Sequence, residues 1–246
     1  MSAAQPMVAA AAPSVVPGSL TRAADAAAVV DRYPQYQAGM RWVTEFVTQP
    51  HPDLGRSGAV CPRLEPAIRA NTVWLVALTV HGTTPADAAD AGRLLLDLFE
   101  EVAAGPHRSS TALLGFFPGL PGERAADFID GGHGLLRPES VERGLMLGEF
   151  HADSTVGGVH NRAFPVMQCP EPMFAVRAMT PHDLLFADQP GTPPADRLSY
   201  LLAYQRHIGP RLSPAAREGL EAKVSAARQL FHRESHRDPA YPGRSH

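Results

Sequence analysis

The stretch Thr72-Val73-Trp74-Leu75-Val76-Ala77-Leu78-Thr79-Val80 constrains this chain more than any other. It is rich in β-branched residues and apolar almost throughout, without the in-out alternation of a strand that has one face in water. Such a run predicts a strand buried on both faces, so the chain must supply covering layers on both sides of a sheet. Pro85 to Ala104 reads as the first cover. Pro85 suits the first turn of a helix, and Leu94, Leu95, Leu98, Phe99 and Val102 recur at helical spacing. Thr111 to Phe117 reads as a second strand, closed by Pro118-Gly119.

The same rules place the remaining elements. Ala24 to Thr48 has helical spacing through Val29, Val30, Tyr33, Tyr36, Met40, Val43 and Val47, with a break near Pro34. Phe128-Ile129 and Pro138 to Arg143 are short helical pieces, while Leu145 to His151 and Met173 to Met179 are strands. Asp196 to Ile208 and Pro214 to Arg233 are amphipathic, with Ser213-Pro214 as a helix start. The expected fold is α+β (mixed α/β), a small central sheet flanked by helices, with a helical C-terminal third. One domain is expected over residues 21–233. Residues 1–20, rich in Ala and Pro, and the polar residues 234–246 are expected as disordered tails. Leu198, Leu201, Leu202 and Ile208 would serve a core or a homodimer equally well.

Composition narrows the function classes. A net charge of −3 argues against general nucleic-acid binding, which needs a concentrated basic surface. Lys223 is the sole lysine, and the arginine, alanine and proline bias points to a GC-rich bacterial genome. Only Cys61 and Cys169 are present, which excludes a disulfide-stapled scaffold and a metal site made of cysteine alone. Met1 to Val16 lacks a basic start and contains Pro6 and Pro13, so it does not read as a signal peptide. No stretch approaches the ~18 apolar residues of a membrane span. A cytoplasmic location and no membrane partner are the expectations.

Chemically capable side chains are densest from Gly148 to Arg162, and the site is expected between Glu149 and Arg177. On a strand over Leu145 to His151, Leu147, Glu149 and His151 share one face. A histidine at a strand end, before a glycine-containing loop, suits an iron ligand or a general base whose second ring nitrogen is held by a carboxylate. A hydrogen-bonded loop histidine is the alternative, for His151 and more so for His160. The segment Phe164 to Arg177 carries Pro165, Pro170 and Pro172, rigid apolar walls that suit a planar cofactor or simply lead into a core strand. Arg177 could pair with a carboxylate or propionate, or face outward. Asp53, Arg56 and Arg162 are further candidates for holding a charged substrate. Dinucleotide, P-loop, nucleophile-elbow, zincin and covalent c-type haem signatures are absent. A non-haem Fe(II) site from His151, His160 and Glu149 or Asp153 remains open, although alternation would crowd its ligands onto one line.

These segments together resemble a known family. His51-Pro52-Asp53-Leu54-Gly55-Arg56, Val60-Cys61-Pro62, Gly148-Glu149-Phe150-His151, His160-Asn161, Cys169-Pro170-Glu171-Pro172 and Ala175-Val176-Arg177 resemble an uncharacterised bacterial domain-of-unknown-function family over roughly Val43 to Ala187. More distantly, Cys61-Pro62, Phe150-His151 and the spacing between them are similar to the YqcI/YcgG family, which includes haem-dependent enzymes that oxidise nitrogen on amino acids. That resemblance implies haem b held by His151, with Ala152 standing where the family more often has Pro or Gly. It also implies a small amino-acid-like substrate and O2 or peroxide as partners. Phe150, Phe164, Arg177 and Cys61 would then line the cofactor, and Glu149, His160 and Arg162 would act in catalysis. Neither cysteine sits in the context of a thiolate-ligated haem. A non-catalytic small-molecule-binding module is the reading from a different class.

Overall fold

The computed structural model describes residues 15–189 and 191–235. Its sheet contains β1 (Val15–Pro17), β2 (Thr21–Arg22), β3 (Val73–Val80), β4 (Ala112–Phe116), β5 (Leu145–Phe150) and β6 (Met173–Ala178). The order is β1-β3-β4-β6-β5, with β2 also against β3. The architecture is α+β, with a mixed sheet and a helical C-terminal region.

β3 is the run buried on both faces. Trp74, Val76 and Leu78 point into one core with Leu113, Leu145, Leu147, Phe174 and Val176, under α3 (Pro85–Val102) and α4 (Gly122–Glu142). Val73, Leu75 and Ala77 point into another with Leu114, Phe116 and Met173. That second core is covered by the 3-10 segment Ala23–Val29, α1 (Pro34–Trp42), its π-helical continuation Val43–Val47 and α2 (Leu64–Arg69). Thr84 caps α3 with a reciprocal box. Its hydroxyl accepts from Asp87 N at 3.3 Å, and its own N–H donates to Asp87 Oδ2 at 2.9 Å. After β6 and the short α5 (Leu184–Ala187), α6 (Pro194–Ile208) and α7 (Pro214–Ser235) close a third core. Leu201 and Ile208 are buried there, and Leu198 and Leu202 pack against it half-buried.

Three elements differ from the sequence expectation. Residues 15–20 were placed in a tail, but β1 aligns with β3, Val15 opposite Val80 and Pro17 opposite Leu78. The last helix likewise runs on to Ser235, past the expected Arg233; the rest of the two expected tails, residues 1–14 and 236–246, lies outside the described residues. The single broken helix over Ala24 to Thr48 is three consecutive segments, with Pro34 opening α1. The two short helical pieces are one 21-residue helix, α4, containing Pro138. Its glycines, which weaken helix propensity, serve close packing instead. A Cβ on Gly132 would lie 2.4 Å from Ala88 Cβ, and one on Gly131 would lie 2.7 Å from Pro85 Cγ.

Topology positions the site. β3 and β4 are parallel through α3, and α4 carries the chain from β4 to β5, two places along. β6 then enters between them, antiparallel to both. The ends of β4 and β5 and the start of β6 therefore share one edge of the sheet. The connection 151–172 crosses that edge without a named helix or strand. Connections longer than about 12–15 residues are uncommon in compact domains and tend to carry function.

Candidate functional site

β5 alternates as its sequence predicts. Leu145 and Leu147 join the core under α4, and Glu149 and His151 continue that face to meet α4 side chains. Met146, Gly148 and Phe150 point the other way, where the Phe150 ring meets Trp42 with centroids 5.4 Å apart.

His151 is 1% exposed. Its Nε2 lies 3.1 Å from Asp130 Oδ1, while its buried Nδ1 has no hydrogen-bond partner. Backbone contacts fix its position: Ser154 N and Cys169 N donate to the His151 carbonyl at 3.3 and 3.2 Å. Asp130 is 51% exposed, so the pair runs from solvent into the interior. Beside it, His133 Nδ1 contacts Glu149 Oε2, and both side chains are mostly buried. Glu149, which shares the His151 face and could orient that ring or shuttle protons, is engaged by His133, and the carboxylate on the His151 ring is that of Asp130.

Asp130 and His133 went unselected in the sequence, because three glycines between 131 and 134 obscured the helix that sets them on one face. Had α4 been legible, their i, i+3 spacing opposite Glu149-x-His151 would have marked them.

The other expected residues divide into separate places. Arg177 is a bidentate partner of Asp183, with Nη1 donating to Oδ2 and Nη2 to Oδ1, both at 2.7 Å. Burial alone would raise the Asp183 pKa. The Arg177 hydrogen bonds and charge, with donors from Thr180, outweigh that and hold it below the usual carboxylate range. Arg177 is thus committed to a structural pair. Phe164 stacks on His51 with centroids 4.3 Å apart, and Asn161 Nδ2 donates to Asp53 O at 2.8 Å, joining the loop after His51 to the 151–172 connection. His160 is exposed, with its backbone against Gly55, and Arg162 is exposed. Arg56 donates to the carbonyls of Ser57 and Val60, closing its own loop. Cys61 packs at the rim of the second core. Cys169 is fully buried, and burial pushes its thiol up to about 12, so it stays protonated.

The donors of this edge can be matched to iron. A neutral imidazole with one nitrogen on a carboxylate and the other offering a buried lone pair is the usual arrangement of a metal-bound histidine. His151 has the geometry of that arrangement, with Nε2 beside Asp130 and Nδ1 the ring nitrogen that lacks a partner. Nδ1 is enclosed, so a planar macrocycle reaches it only when the surrounding side chains part. Among the described residues no three His, Cys, Asp or Glu side chains form a group that could hold a metal ion, and Glu149 is turned to His133.

Among the described residues no helix is long and apolar enough to cross a membrane. No curated protein and no solved structure matches the chain. Residues 36–219, most of the chain, match the family model described as Domain of unknown function (DUF6875), a span that contains both halves of the sheet edge and the α4 pair, and the chain belongs to that family.

Proposed function

We propose that the protein is a haem-dependent oxygenase that oxidises a small amino-acid-like substrate, on nitrogen, with O2 or peroxide, and that His151 is its iron ligand. The observation that carries this reading is the orphaned Nδ1 of a buried histidine whose Nε2 is held by Asp130. A buried polar atom without a partner is costly by about 1–3 kcal/mol, and a bound metal is one way such a cost is offset. The likeness of Cys61-Pro62 and Phe150-His151 to the YqcI/YcgG family belongs to the same proposal.

Haem iron would supply the activation of oxygen or peroxide. The protein's own part is to fix the imidazole. Asp130 keeps the proton on Nε2, which leaves the lone pair on Nδ1. His133 holds Glu149 away from His151, so the ligand has a single carboxylate partner. With Arg177 bound to Asp183, the exposed Arg162 is available to meet a haem propionate or a substrate carboxylate.

The test is an ultraviolet–visible spectrum of protein expressed with a haem precursor, beside His151→Ala. A Soret band in the parent that is lost in the variant supports the proposal. No band in either protein overturns it, and metal analysis then separates non-haem iron from a metal-free binding module.

A further inference from the structure

A depression of about 420 Å3 opens on the same sheet edge, where β4 ends and β6 begins. Its apolar wall includes Phe117, Pro118 and Leu120, and its polar groups are Arg32, Gln35 and Glu171. The volume falls within the ~300–1,000 Å3 of small-molecule sites. Register places it near the proposed iron ligand. Phe150 and Phe116 both pair with Met173, so the residues after β5 and β4 lie two strand spacings apart, about 10 Å.

The three polar groups share one property. Gln35 is 8% exposed, and its Nε2 has no hydrogen-bond partner. Among the described residues, neither Arg32 nor Glu171 has a side-chain ion pair, although the Arg32 guanidinium lies over the Tyr33 ring, 5.3 Å from its centroid. Pro34 and Gln35 are also the first residues of α1, where the helix dipole favours negative charge. The pocket thus sets a cation and a helix start near one another, with a carboxylate also on its wall.

We infer that this pocket binds a small zwitterion, its carboxylate taken by Arg32 beside the start of α1 and its protonated amine by Glu171. Arginine offers a carboxylate two parallel N–H donors. The apolar wall beside Phe117 and Leu120 takes the ligand's carbon chain. Calling the occupant the substrate rests on the proposed oxygenase reading; its binding does not.

The experiment is calorimetric titration of the full chain, prepared with and without haem precursor, with each of the twenty L-amino acids and with the deaminated analogue of any that binds. Arg32→Gln and Glu171→Gln are compared, with circular dichroism confirming that each is folded. At least one amino acid is expected to bind, and each substitution to weaken it about tenfold or more, equivalent to about 1.4 kcal/mol. Glu171→Gln should leave the affinity for the deaminated analogue unchanged, because that ligand has no amine to lose. No binding by the folded parent, or parent-like binding by both variants, overturns the inference. His151→Ala separates the two claims: it should abolish the Soret band and leave amino-acid binding in place, so either can fail alone.

Discussion

Asp130 Oδ1 and His151 Nε2 lie 3.1 Å apart, joining the middle of α4 to the end of β5 across 21 positions of sequence. Because Nδ1 of the same ring has no partner, the pair is a poor stability device. His151→Leu, close in volume, removes the orphaned atom and frees an Asp130 that is already half in water. Its unfolding free energy in urea should fall by no more than about 1 kcal/mol, since the desolvation penalty removed offsets the hydrogen bond lost. A loss above about 2 kcal/mol would show that His151 is held there for the fold.

Asp130→Asn tests orientation rather than ligation. The amide offers its own donors and no longer fixes the proton on Nε2. On the proposed reading, in which His151 holds haem, retention read from the Soret absorbance after dilution should weaken about 10- to 100-fold. Unchanged retention would remove Asp130 from the site.

Arg177 and Asp183 should behave in the opposite way to His151. Asp183 is 2% exposed and accepts from Arg177 twice and from Thr180 N at 2.7 Å. Arg177→Met strands that carboxylate and should cost about 3–5 kcal/mol. The pH dependence has a definite sign. The folded pKa of Asp183 is depressed, so its contribution is fully present above the unfolded value near ~3.9 and is lost as pH falls through the folded value. Urea titrations from neutral pH down to pH ~3 should show this acid loss in the parent and a smaller one in Asp183→Asn.

Phe164 holds two loops together. Phe164→Ala removes the stack on His51, worth about 0.5–1.5 kcal/mol beyond its area, and leaves the Asn161 to Asp53 bond and the packing of His160 on Gly55. Hydrogen exchange should quicken together in residues 51–60 and 156–166 and stay as before in β3. Faster exchange in one loop alone would show that the stack does not couple them.

Gly132 lies where α4 packs tightly against Ala88 of α3. Gly132→Val pushes new methyl groups into Ala88, with Phe174 behind, and should destabilise by about 1–3 kcal/mol despite valine's better helix propensity. Gly134, whose added Cβ would meet nothing within 4 Å, provides the control. Gly134→Ala should be neutral or stabilising.

The sequence by itself determined the elements whose side chains repeat with a clear period. The unbroken apolar run of β3 required cover on both faces, and the alternation of β5 put Glu149 and His151 on one side, because these patterns follow from local geometry. Tertiary structure decided what each side chain meets. α4 was hidden because the glycines that weaken a helix in isolation are what let this one approach α3. With α4 hidden, Asp130 and His133 were hidden too. Arg177 was visible as a charge on a strand, but its commitment to Asp183 depends on how the chain turns after β6. Arg32, Gln35 and Glu171 come from segments more than 130 positions apart in sequence and share a pocket only because β6 inserts beside β4. Periodicity is a property of neighbours along the chain, whereas a site is made by neighbours in space.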